Sequence, residues 1–183
     1  MIWAMTVILG ISLAVNLFLA YRIRKGDQAS PVIRPAPLAE GAVVSPIKAH
    51  NLDGGEVTIS SQDNSNPLVV YVFTPQCSWC GRNLSNLKKI LAEKHGAFRF
   101  VGVSLTDKEL ERYLSEKQLD LLVVMNPTAQ TRNEYRLGST PQTIVISPNG
   151  RILKNWVGAY SGTTQKEIEE YFGVRLPGLS SEN

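Results

Sequence analysis

The stretch Val69-Val70-Tyr71-Val72-Phe73-Thr74-Pro75-Gln76-Cys77-Ser78-Trp79-Cys80-Gly81-Arg82-Asn83-Leu84 decides the fold. It opens inside the continuous apolar run Pro67–Phe73, which reads as a central strand buried on both faces. The chain then turns through Thr74-Pro75-Gln76 and enters a helical pattern near Cys77. Leu84, Leu87, Ile90 and Leu91 form one stripe of that helix, with Lys88, Lys89 and Lys94 off it. Both cysteines of the chain therefore stand where a buried strand passes into a helix.

Working outward, SPIKAHNLDGGEVTIS before this unit reads as a small hairpin turning at Asp53-Gly54-Gly55. After it, Phe98–Ser104 is a second strand. Thr106-Asp107-Lys108-Glu109 reads as a capping box opening a helix with Leu110 and Leu114 on its apolar side. Leu121–Met125 is a short strand ended by Asn126-Pro127, and Thr128–Tyr135 a short helix. Gln142–Ile146 and Arg151–Val157 are strands joined by the turn Ser147-Pro148-Asn149-Gly150. A second capping box, Thr164 with Glu167, is expected to open a last helix carrying Ile168, Tyr171 and Phe172. Strands alternating with helices, then a hairpin and a final helix, give an α/β domain: a mixed sheet with helices on both faces.

The cysteine pair Cys77-Ser78-Trp79-Cys80 carries the chemistry. A helix N-terminus offers unpaired backbone N–H groups and a partial positive charge, both of which favour a thiolate. Cys77 is expected to be the exposed, more acidic thiol. Cys80, one turn on, faces inward within reach of the Cys77 sulfur. A bridge across four residues closes little chain entropy, so a purely structural disulfide would gain little. Redox exchange is the reading: Cys77 attacks a partner disulfide, Cys80 resolves the mixed disulfide, and no cofactor or metal beyond the Cys77–Cys80 disulfide is expected. A metal site would need further ligands, and only His50 and His95 are available, neither spaced to the pair.

The N-terminal 21 residues carry no charge and would span about 30 Å as a helix, the thickness of bilayer hydrocarbon. Trp3 and Tyr21 lie near its ends, and Arg22, Arg24 and Lys25 stop it. The basic cluster follows the apolar core instead of preceding it, and no A-x-A site follows, so an uncleaved anchor over 1–22 is expected in place of a signal peptide. Residues 23–40 hold Pro31, Pro35 and Pro37 and read as a semi-rigid spacer. The domain is expected over 41–176, with a flexible tail over 177–183. Of the 19 Lys and Arg, three precede residue 26 and none of the 16 acids do; the remaining 16 and 16 cancel. The basic balance thus belongs to the anchor, and composition gives no support for a nucleic-acid partner. By the positive-inside tendency those three cations would hold the following domain in the cytoplasm.

With these parts in place the chain resembles the thioredoxin superfamily, and more closely the membrane-anchored thiol-disulfide oxidoreductases of the TlpA/ResA type in the redoxin group. The resemblance covers 41–176. It rests on LDGGEVTIS, on VVYVFTPQCSWCGRNL, on the segment from Thr106 to Leu137, and on STPQTIVISPNG over 139–150. It implies a thioredoxin-like mixed sheet preceded by one transmembrane helix. It implies Cys77 and Cys80 as the catalytic pair and a cis Pro141 beside Cys77, with the Thr140 backbone free to pair with an extended substrate. Trp79 would support the site. It further implies protein thiols and disulfides as partners, a membrane electron donor upstream, and an extracytoplasmic domain at the inner membrane, against the pull of Arg22, Arg24 and Lys25.

Three positions depart from the family pattern. Gln76 stands where tryptophan usually precedes the first cysteine, and Trp79 lies between the thiols instead. Tyr71 occupies the place of a buried acid, and Asn83 that of a glutamate. Two alternatives accompany the main reading. Thr74-Pro75-Gln76-Cys77 has the T-x-x-C spacing of a thiol peroxidase, although Val70 replaces that family's proline. A non-enzymatic metal carrier using both thiolates is the other.

Overall fold

Leu68–Phe73 forms β3, and all six of its residues are buried. That is the fate of an unbroken apolar run: alternate side chains point to opposite faces, and each face needs a cover. Val69, Tyr71 and Phe73 enter one core cluster, while Leu68, Val70 and Val72 enter the other. The computed structural model describes residues 2–26 and 38–181; within the first helix, side chains are described for residue 3 and residues 6–21.

The remaining strands are β1 (Ile47–His50), β2 (Glu56–Ile59), β4 (Arg99–Ser104), β5 (Leu122–Met125), β6 (Gln142–Ile146) and β7 (Ile152–Val157). They join β3 in one seven-stranded sheet of order β2-β1-β5-β4-β3-β6-β7. β3, β4 and β5 run parallel, while β6 and β7 pair antiparallel on the other side of β3. The mixed α/β sheet expected from the strand pattern is present. Gly102 in β4 has a packing reason: a Cβ there would lie 3.2 Å from the Phe73 ring and 3.1 Å from Val123.

The helices of this unit are α2 (Ser78–Arg82), α3 (Leu84–Lys94), α4 (Leu110–Lys117), α5 (Ala129–Glu134) and α6 (Gly162–Phe172). Leu87 and Ile90 of α3, Leu110 and Tyr113 of α4, and Ile168 and Phe172 of α6 cover the face that carries Tyr71. Tyr135 and Leu137, just past α5, help cover the opposite face. Phe98, Trp156, Tyr171 and Phe172 stack with ring centroids 5.1–6.3 Å apart and clamp α6 to the sheet.

Neither expected capping box forms. α4 begins at Leu110, after Glu109 adopts a left-handed conformation at φ 62° with no side-chain cap. The Glu109 carboxylate instead meets Arg112 at 2.9 Å. α6 starts at Gly162, two residues earlier than expected, with no cap bond from Ser161. Its Glu167 accepts from the Trp156 indole at 3.0 Å. In both cases another partner holds the acid that the box would need.

The boundaries also differ. The spacer expected over 23–40 lies outside the described residues from 27 to 37, but its last three residues belong to the folded unit. Leu38 is buried and its carbonyl accepts from Asn155, and Glu40 pairs with Lys154 at 3.0 Å. The tail expected to be free is tied down as far as it is described. Gly178 N donates to Asn86 Oδ1 at 2.9 Å, and Ser180 N to the Arg82 carbonyl at 3.0 Å.

The N-terminal unit, described separately, is the helix α1 over Ile2–Gly26. Among the described residues no helix is long and apolar enough to cross a membrane. The transmembrane helix expected over 1–22 is therefore not shown by the fold.

Candidate active site

β3 delivers the chain to the C-terminal edge of the sheet, where the Thr74 carbonyl accepts the Cys77 N–H at 3.1 Å. That turn places Cys77 as the N-cap of α2. Cys80 N then donates both to the Cys77 carbonyl and to Cys77 Sγ, each at 3.1 Å. The two sulfurs are bonded to each other across a Cα–Cα distance of 5.2 Å. Cys80 is fully buried, whereas Cys77 is only half-buried. The exposed-first, buried-second arrangement expected of the pair is present.

Pro141 enters from β6. The register pairs Val72 with Gln142, so Pro141 lies one step beyond, at the same sheet edge as Cys77. The Thr140–Pro141 bond is cis. The Pro141 carbonyl accepts from Gly158 N at 2.7 Å, which anchors this corner to the end of β7. Thr74 contributes its backbone carbonyl, as described. Trp79 is 49% exposed, and the Arg82 guanidinium lies 4.5 Å from the centre of its ring.

A groove of about 720 Å³ opens beside Cys77, bordered by Gln76, Arg82, Glu109, Arg112, Lys117 and Ser180. Gln76 closes one end by donating to the Lys108 carbonyl at 3.0 Å and to Glu109 Oε2 at 3.3 Å. The Gln76 hydrogen bond, followed by the charge of Arg112, lowers the Glu109 carboxyl below its ordinary pKa. Ionised Glu109 therefore favours the folded form above the ordinary carboxylate range and loses that effect as pH falls through its lowered value. Gln76→Ala should return Glu109 toward the ordinary range and so shrink that contribution. Titration of the Glu109 carboxyl by NMR checks this.

Beneath the disulfide lies a polar cluster that the sequence pattern did not single out. Asn83 is fully buried at the break between α2 and α3. Its Oδ1 accepts from Asn86 Nδ2 and from Tyr160 N, each at 3.1 Å. The Tyr160 hydroxyl bonds Thr143 Oγ1 at 2.7 Å, and burial pushes its pKa up to about 12. Besides the family's glutamate position at Asn83, the available signal was two asparagines, i and i+3, in an otherwise apolar helix stripe.

The histidines stand elsewhere. His50 lies on β1, separated from β3 by β5 and β4, and His95 follows α3 with Nδ1 near the Ala92 carbonyl. Among the described residues no three His, Cys, Asp or Glu side chains form a metal-holding group.

A model of the AhpC/TSA family matches residues 41–155, more than half of the chain. The chain belongs to the AhpC/TSA family. Solved structures similar to this AhpC/TSA protein share its fold. The thioredoxin domain of a thiol-disulfide oxidoreductase from Bacteroides vulgatus matches with a TM-score of 0.59 at 21% identity, over 74% of this chain and 99% of that one. A secreted Mycobacterium tuberculosis disulfide oxidoreductase, homologous to Escherichia coli DsbE, matches at 0.56 and 18%, over 69% and 93%. StoA from Bacillus subtilis matches at 0.55 and 17%, over 71% and 98%. Comparison with curated proteins gave no match. The fold is that of these solved structures, and in this chain it carries a CxxC pair joined as a disulfide.

Proposed function

We propose that this AhpC/TSA protein is a membrane-tethered thiol-disulfide oxidoreductase that reduces disulfides of client proteins. The observation that carries the reading is the bonded pair itself, half-buried Cys77 ahead of fully buried Cys80 at the sheet edge. In the reduced form, Cys77 thiolate attacks a client disulfide, forming a mixed disulfide and releasing one client sulfur as thiolate. Cys80 thiolate then attacks Cys77 Sγ, forming the Cys77–Cys80 bond and expelling the second client thiolate. The Cys80 N–H directed at Cys77 Sγ stabilises the attacking anion. The Thr140 backbone and Pro141 flank the attacked sulfur, and the Trp79–Arg82 stack gives an apolar shelf beside the mixed-charge groove. An extended polypeptide suits this surface.

The tether rests on the uncharged residues 1–21 and the basic stop at Arg22, Arg24 and Lys25. The TlpA/ResA likeness favours an extracytoplasmic domain at the inner membrane, rereduced by a membrane electron donor. Carbonate extraction of cells that express the chain tests the tether, and a reporter fused after Asn183 tests the orientation.

The deciding measurement is the reduction potential of Cys77/Cys80 in the full-length chain. A value near the thioredoxin range, about −270 mV, supports client reduction, while one near about −120 mV would reverse the direction of transfer. A thiol peroxidase of T-x-x-C type is the competing reading within the family. Here Thr74 holds the turn through its carbonyl, and Val70 is locked in the central strand. Rapid peroxide consumption, lost in Cys77→Ser and unaccompanied by disulfide exchange, would favour the peroxidase.

A further inference from the structure

Arg82 is held on two sides. Its guanidinium lies 4.5 Å from the centre of the Trp79 ring, and its Nε donates to the Ser180 carbonyl at 3.2 Å. The Arg82 carbonyl in turn accepts from Ser180 N at 3.0 Å and from Ser180 Oγ at 3.2 Å. A planar guanidinium can stack by its face and donate from its edge at once, which a lysine ammonium cannot. Taking this pose costs a long side chain much of its rotamer freedom. The pose joins Trp79, which stands between the two cysteines, to a segment that arrives from beyond α6.

That segment, residues 174–181, is pinned at every second residue. Val174 and Leu176 are buried in the core, and Leu176 N donates to Glu169 Oε1 at 2.8 Å. Gly178 N then reaches Asn86 Oδ1, and Ser180 N reaches the Arg82 carbonyl. Gly178 and Ser180 have no apolar side chain to bury. What their bonds fix is the path of the segment across α2 and α3.

The path matters because Ser180 also lines the Cys77 groove, together with Gly81 and Arg82 of α2 and Tyr113 and Lys117 of α4. The strand order sets β6, with Pro141 at its start, on one side of β3. It sets β4, which leads into α4, on the other. The Thr140–Pro141 edge and the groove thus flank Cys77, one for each side of a cysteine within a client chain. We propose that the groove is a subsite for the second flank of the client cysteine, with residues 177–181 as its wall. Arg82 is the positioning residue that holds this wall and the Trp79 ring together, so that the flank is read. The inference deepens the reading of Cys77 as the attacker of polypeptide disulfides, and rests on it.

The test uses full-length Cys80→Ser, in which Cys77 is the sole thiol. The probes are cysteine peptides activated as mixed disulfides with nitrothiobenzoate. Cys77 thiolate attacks the peptide sulfur, a Cys77–peptide disulfide forms, and nitrothiobenzoate leaves as a thiolate whose absorbance gives the rate. A peptide with residues on both sides of its cysteine should react about tenfold faster than the single-flank peptide that lacks the groove-bound side. Adding Arg82→Ala should slow the two-flank peptide about tenfold more than it slows that single-flank peptide. Ser180→Pro removes the N–H and the hydroxyl from the other half of the clamp and should reproduce the difference. Combining the two should add little, since each opens the same clamp. Equal slowing of both peptides marks a purely structural role and overturns the proposal, as does no slowing. Should Arg82→Ala not fold, the Ser180→Pro comparison decides alone. Insulin disulfide reduction by the wild-type chain without a flank effect overturns this inference and leaves the proposed function. A flank effect without insulin reduction rejects the proposed function and leaves this inference standing.

Discussion

Cys77→Ser is expected to abolish disulfide exchange, lowering the rate by roughly a thousandfold or more, because the thiolate is the nucleophile and serine has no comparable ionised form at neutral pH. Cys80→Ser should behave differently. It leaves the half-buried Cys77 able to attack, but removes the only other thiol in the sequence. The mixed disulfide with the client should then persist and appear by mass spectrometry as an adduct sensitive to dithiothreitol. The asymmetry follows from burial. Cys80 is fully buried on the inner side of α2 and is bonded to Cys77 Sγ, so a client meets Cys77 first. Equal adduct formation by both single variants would contradict that order of attack, and full activity in Cys77→Ser would place the chemistry elsewhere in the molecule.

The sheet was legible because its signal is local. An apolar run such as Leu68–Phe73 has one physical outcome in a water-soluble unit, and the Pro67-to-Phe73 reading matches the buried strand within one residue. The junction of that strand with Cys77 was legible for the same reason. Cis Pro141 at the edge of β6 was reached through the family resemblance and not through periodicity. What escaped is what depends on contacts distant in sequence. Thr106–Glu109 and Thr164–Glu167 both satisfy the capping-box pattern, yet Glu109 is drawn to Arg112 and Gln76, and Glu167 to the Trp156 indole. The tail PGLSS has no periodicity to report its course, because its anchors are Asn86 and Arg82, more than ninety residues upstream. Asn83 stood out only as a departure from a family pattern. Its work is visible once the Tyr160 backbone arrives from the far end of the domain.

That residue gives the second large effect. Asn83→Ala is expected to destabilise the oxidised chain by about 2–4 kcal/mol, since Asn83 Oδ1 is the acceptor for two buried donors, Asn86 Nδ2 and Tyr160 N. Truncation strands both and leaves a small cavity at the joint between α2 and α3. Tyr71→Phe makes the opposite case at a neighbouring position. Its hydroxyl is buried near the Asn83 amide without a close hydrogen bond, so removing it should change stability by less than about 1 kcal/mol. Urea denaturation of the two oxidised variants in the full-length chain checks the contrast. If Tyr71→Phe were as damaging as Asn83→Ala in the oxidised chain, the hydroxyl would already be satisfied there.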